Sequence, residues 1–113
     1  MEYKFKPKDE YIEGYILVKI PSFMERMKIL QKAGVSDLDQ NVSKMFEILE
    51  ACSKNFIEIN IEIDGNKCHD LDSLTSYEGG LQTVFEALGV IIGGVPNEKK
   101  RQALLKMEKK RAG

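Results

Sequence analysis

Phe56-Ile57-Glu58-Ile59-Asn60-Ile61-Glu62-Ile63, followed by Asp64-Gly65-Asn66 and Lys67-Cys68-His69, is the stretch on which the fold turns. Isoleucines at 57, 59, 61 and 63 alternate with Glu58, Asn60 and Glu62. Successive strand side chains point to opposite faces, so this pattern predicts a strand over 56–63 with four isoleucines on the core and a polar face in water. Asp64-Gly65-Asn66 is tight-turn chemistry, and Lys67 to His69 then reads as a short returning strand. Upstream, Ile12 to Ile20 is rich in β-branched and aromatic residues. Ile12, Ile16, Val18 and Ile20 take one side over most of it, and Pro21 ends the run because it has no N–H to donate. This segment is a natural antiparallel partner for 56–63. Residues 1–10 read as a docking arm or a short edge strand.

The remaining periodicities are helical. Ser22 and Glu25 form a capping-box pattern, and Phe23, Met27, Leu30 and Ala33 predict the buried stripe of a helix near 23–33 that Gly34 stops. Val42, Met45, Phe46, Leu49 and Cys52 recur at three- and four-residue steps, giving a second helix near 41–54 capped by Asp39 or Asn41. Asp70 to Ser76 reads as a polar connector. Leu81, Val84, Phe85, Leu88 and Ile92 mark a third helix near 78–92, weakened by Gly79, Gly80 and Gly89 and ended by Gly93-Gly94. Pro96-Asn97 restarts the chain as a basic helix near 97–110, with Ala103, Leu104 and Met107 on a narrow apolar side. The expected architecture is α+β: a small antiparallel sheet (12–20, 56–63, 67–69) packed against about four helices. It is a single domain over 1–113, with 97–113 as a basic C-terminal helix or tail.

The 113 residues are 42% hydrophobic and 31% charged, with 9 Gly and 3 Pro. That is enough apolar material for a modest core and rules out collagen-like and low-complexity classes. No apolar run approaches the roughly 20 residues that span a bilayer. The first nine residues carry Glu2, Lys4, Lys6, Lys8 and Asp9 and lack the apolar stretch of a secretory signal. A soluble, cytoplasmic protein without a membrane partner is expected. The net charge of −1 conceals an asymmetry. From Glu98 onward seven cations face two anions, net +5, leaving the first 97 residues with 10 basic and 16 acidic groups, net −6. A basic arm on an acidic body can dock on nucleic acid, an acidic protein or its own body, or can simply be a solvated helix.

Catalytic and metal chemistry find little footing in the sequence. His69 is the sole histidine, and its neighbour Cys68 would point to the opposite strand face, so the two cannot easily act as a nucleophile pair. Cys52 falls on an apolar stripe, where a free thiol behaves as a small hydrophobe. One His and two scattered Cys supply no four-ligand zinc set. Calcium-loop spacing fails as well: a loop opening at Asp64 places His69 and Thr75 where Gly and Glu belong, and one opening at Asp70 places Thr75 and Leu81 there. Neither Gly79-Gly80 nor Gly93-Gly94 carries a phosphate-loop signature. No aromatic residue interleaves the C-terminal lysines, so only non-specific phosphate attraction would be available to nucleic acid. The reading is therefore no enzyme, no cofactor and no metal. What remains is apolar surface: methionines at 24, 27, 45 and 107, and isoleucines at 29, 48 and 91 off the main stripes.

Two stretches carry a family likeness. Tyr3-Lys4-Phe5-Lys6-Pro7-Lys8-Asp9-Glu10-Tyr11-Ile12-Glu13-Gly14-Tyr15-Ile16-Leu17-Val18-Lys19-Ile20-Pro21-Ser22-Phe23-x-Glu25-Arg26 resembles the opening of tail assembly chaperones of long-tailed bacteriophages and prophages. Asp70-Leu71-x-x-Leu74-x-x-Tyr77-Glu78-Gly79-Gly80 and the helix before Gly93-Gly94 are similar in layout. The resemblance implies a non-enzymatic protein acting in the infected bacterial cytoplasm and absent from the finished virion. It would coat the hydrophobic helices of the tape-measure protein and recruit tail-tube subunits. It also implies a C-terminally extended form made by programmed frameshifting, with Lys109-Lys110 or Lys99-Lys100 at the slippery tract. Under this reading the client-facing residues are Phe85, Leu88, Ile92, Leu104 and Met107, with plain core the favoured reading of Phe85 and Leu88. Self-association along an extended client is a further expectation. The rivals are a structural tail-completion or connector protein and a small regulator binding nucleic acid through the basic C-terminal helix.

Overall fold

The computed structural model describes residues 1–34 and 42–97. The elements run β1 (Glu2–Phe5), β2 (Ile12–Lys19), α1 (Phe23–Lys32), α2 (Val42–Ala51), a 3-10 turn (Ser53–Asn55), β3 (Phe56–Ile63), β4 (Asn66–Cys68), α3 (Leu71–Thr75) and α4 (Gly80–Gly93). The four strands form one antiparallel sheet in the order β1-β2-β3-β4. This is the α+β architecture that the alternating isoleucines imply. The N-terminal residues resolve the choice left by the sequence: Glu2 to Phe5 pair with Lys19 to Ile16 as an edge strand. The expected helix over 97–110 lies beyond the described residues, save for Asn97.

One sheet face is core. Phe5, Ile12, Ile16, Val18, Ile59, Ile61, Ile63 and Cys68 are all buried on it. The opposite face carries Lys4, Glu13, Tyr15, Lys19, Glu58, Asn60 and Lys67, most of them exposed. There the Lys4 ammonium stands 4.4 Å above the Tyr15 ring, and the Tyr15 hydroxyl donates to Glu58 Oε1 at 3.2 Å. Asp64 (φ 52°) and Gly65 (φ 78°) are both left-handed between the paired Ile63 and Asn66, the two-residue hairpin geometry expected of Asp-Gly.

The fourth isoleucine departs from the expected pattern. Leu17 pairs with Glu58 but Val18 pairs with Phe56, so Ile57 is an extra residue in a β-bulge. The bulge resets the alternation, Phe56 takes the core side, and Ile57 is left 44% exposed. Within β2, Gly14 (φ +108°) sits where a Cβ would collide with the Asn60 carbonyl of β3.

α4 is the central helix. It lies against β2 and packs with α2 and α3. Val84, Ala87, Leu88, Val90 and Ile91 are buried, while Leu81, Phe85 and Ile92 are half-buried. Ile91 and Ile48, read from the sequence as lying off the core stripes, are thus core residues, because α4 and α2 bury wider faces than one narrow stripe. Gly80 is where α4 meets α3: a Cβ there would overlap the Leu74 carbonyl oxygen. The Asp70–Ser76 connector is also corrected. It contains α3, a helix of five residues opened by a reciprocal capping box, with Asp70 Oδ1 accepting from the Ser73 N–H at 2.7 Å and Ser73 Oγ accepting from the Asp70 N–H at 3.3 Å.

The largest correction concerns α1. None of its ten residues is fully buried, and Phe23 and Met27, expected in its core stripe, are 66% and 40% exposed. The inward side is instead Arg26, Ile29 and Leu30, half-buried, with Ala33 buried at the C-terminal cap. Arg26 explains the rotation. Its Nη1 donates to the Ile92 carbonyl at 3.2 Å, supplying a partner to the last turn of α4. Placing that guanidinium inward turns Phe23 and Met27 toward water.

Candidate functional site

α1 follows directly from β2 through Ile20 and buried Pro21, and Ser22 Oγ accepts from the Glu25 N–H at 3.2 Å to start it. Its outward surface consists of two adjacent i,i+4 rows. Phe23, Met27 and Gln31 form one; Met24, Lys28 and Lys32 form the other. Phe23, Met24 and Met27 therefore make an apolar ridge over the N-terminal half, at 66%, 65% and 40% exposure, continued by a polar and cationic C-terminal half. Thioethers and an aromatic ring in open water are costly to leave uncovered, and methionine's flexible chain adapts to varied partners.

The neighbouring helix contributes Phe46. α2 packs on α1 and on α4, and the Phe46 ring meets Phe85 edge-on at 5.3 Å and 78° while remaining 50% exposed. Beside the start of α1, a shallow groove of about 570 Å³ is lined by Met1, Ile20, Pro21, Arg26, Gly94 and Val95, among others. Arg26 Nε in its wall is buried without a hydrogen-bond partner among the described residues.

The residues expected to face a client are divided by this arrangement. Leu88, 1% exposed, belongs to the core and cannot reach a partner while α4 is folded, because that side of the helix lies inward. Phe85 is half-buried behind Phe46, and Ile92 is half-buried where its carbonyl accepts from Arg26. Leu104 and Met107 lie outside the described residues. The exposed ridge is on α1 instead. Its signal was present in the sequence, since Phe23, Met24 and Met27 stand close together, but helical spacing alone cannot say which side of a wide apolar arc turns inward.

Titratable chemistry is sparse. Cys68 is fully buried and His69 is exposed, with His69 Nδ1 3.3 Å from the Ile59 carbonyl oxygen, an acceptor that requires the ring proton on Nδ1. Cys52 is buried just past α2 and its thiol donates to the Ile48 carbonyl at 3.0 Å. Burial pushes that thiol up to about 12, so it stays neutral at physiological pH. Asp70 is held below the usual carboxylate range, chiefly by the Ser73 backbone N–H and then by the Ser73 hydroxyl. Among the described residues no group of three or more His, Cys, Asp or Glu is placed to hold a metal ion, and no helix is long and apolar enough to cross a membrane. What this surface offers is a place to lay another apolar segment. None of the protein families, curated proteins or solved structures compared with the chain matches it.

Proposed function

We propose that the protein is a non-catalytic tail assembly chaperone of long-tailed bacteriophages, which holds helices of the tape-measure protein and recruits tail-tube subunits. The observation that carries this reading is the α1 ridge: Phe23, Met24 and Met27 stand uncovered on a helix with no fully buried residue. A helix-in-groove or helix-on-helix contact is read through side chains spaced three and four apart, and the ridge has that spacing. The resemblance of residues 3–26 and 70–80 to the tail chaperones supplies the identity of the client.

The test is coexpression with a tape-measure fragment that is insoluble alone. The wild-type chain is expected to keep the fragment in solution and to copurify with it. Replacing Phe23, Met24 and Met27 together by Ser should abolish both effects while leaving the fold intact. A fragment that stays insoluble beside the wild-type chain refutes the reading.

A further inference from the structure

We infer that the outer edge of β1 pairs antiparallel with the same edge of a second copy of the chain, joining two four-stranded sheets into one. This goes beyond the client-holding role and does not rest on it. β1 is an edge strand, and among the described residues no strand pairs with its outer side. Its register fixes which backbone groups are left open. The Ile20 N–H donates to the Met1 carbonyl at 2.7 Å, so Met1 and Ile20 are a hydrogen-bonded pair, and by alternation so are Tyr3–Val18 and Phe5–Ile16. The N–H and C=O groups of Glu2 and Lys4 therefore point away from β2. Both side chains are exposed, on the sheet face opposite buried Phe5.

An edge that pairs with its own copy about a two-fold axis sets outward-pointing residues against each other. Within Glu2–Phe5 the available registers are Glu2 on Glu2, Lys4 on Lys4, and Glu2 on Lys4. The first two oppose like charges, which destabilises a cross-strand pair. The third centres on Tyr3, and its symmetry makes the Glu2–Lys4 contact twice, each exchanging both backbone hydrogen bonds, with the Tyr3 rings adjacent on the core side. The Lys4 ammonium, 4.4 Å above the Tyr15 ring on the polar face, has to turn outward to meet the carboxylate. The opposite edge of the sheet lacks this match. Ile63 and Asn66 flank the two-residue turn as a hydrogen-bonded pair, so in β4 Lys67 points outward, and self-pairing there would set Lys67 against Lys67. One self-complementary edge and one self-repelling edge specify a closed dimer.

The experiment is sedimentation velocity of the full chain over a range of concentrations, with amide exchange at Lys4 read alongside. The wild type is expected to pass from monomer to dimer as concentration rises, the Lys4 amide exchanging more slowly in the dimer. Glu2→Lys and Lys4→Glu, both at exposed sites, should each weaken the dimer about tenfold, because both cross-strand pairs turn repulsive. Mixed together, the two variants should associate, since each then meets the opposite charge. The chain carrying both substitutions should dimerise as the wild type does. A chain that stays monomeric, a dimer indifferent to the single reversals, or a mixture that does not associate overturns the inference. Growth beyond a dimer assigns β1 to the Lys67 edge of the next copy and also overturns it. Should a single reversal fail to fold by circular dichroism, Lys4 amide exchange in the wild type decides, and exchange that does not slow with concentration overturns the inference.

Discussion

Gly80 and Gly89 lie on the same helix and should respond in opposite ways to the same added methyl. At Gly80 the Cβ would overlap the Leu74 carbonyl oxygen, so Gly80→Ala forces α3 and α4 apart. A loss of about 3 kcal/mol or more is expected in denaturant unfolding. At Gly89 the space is open and the backbone is ordinary helix, so Gly89→Ala should stabilise by about 0.5–1 kcal/mol. Cys52 supplies a pH prediction. Its thiol titrates near 9.0 when exposed and at about 12 when folded, so the unfolded chain releases that proton first. The contribution to stability is complete below pH 9.0 and is lost as pH rises toward about 12. Replacing Cys52 by Ala should cost stability through lost packing but remove this alkaline loss, so that stability followed by circular dichroism falls less between pH 9.0 and about 12 than in the wild type. The sequence identified Cys52 as apolar filling, which its spacing settles. It could not identify the role of Gly80, because the carbonyl that excludes a side chain comes from a separate helix.

Elements whose periodicity extends over many residues were legible, as was the short β4 that the Asp64-Gly65 turn announces, whereas the bulge in β3 and the short α3 were not. β3 and the Asp64-Gly65 turn are written in strict alternation and in residues suited to positive φ. The bulge at Ile57 is invisible in that alternation, since the pairing shift depends on where β2 meets it. α3 has five residues, too few to show a helical period, although its capping box is spelled out by Asp70 and Ser73. Asp70→Ala should loosen the α3 start, seen as faster amide exchange at Ser73. The folded Asp70 carboxyl is held low, so its contribution is present above the ordinary aspartate value of about 3.9 and is lost as pH falls through the folded value. The Ser73 amide signal should report that change below about pH 4. α1 was legible as a helix yet misread in its orientation. An arc containing Phe23, Met27, Leu30 and Ala33 suits either side, and the half-buried Arg26 contact to the end of α4 decides it.

Taken as a whole molecule, the α+β class follows from the sequence because a sheet with one apolar face demands a covering layer. The site was not legible to the same degree. The sequence assigned the best helical stripe, on α4, to both core and client, and the packing commits Leu88 to the core. Binding and stability are thereby separable. Ser substitutions at Phe23, Met24 and Met27 should change unfolding free energy by little, within about 0.5 kcal/mol each, while removing client retention. Leu88→Ala should do the reverse, costing about 2–5 kcal/mol in unfolding before it touches binding.

The position of α4 in the chain has a consequence for synthesis. All four strands have been made once translation passes Cys68, yet the helix that lies across β2 is not complete until Gly93. A ribosome paused between those points holds a finished ribbon with part of the core face of β2 lacking its α4 cover, a species prone to sticking to its neighbours. Protease resistance of stalled nascent chains should therefore arise in one step, when the last turn of α4 clears the exit tunnel, and not strand by strand.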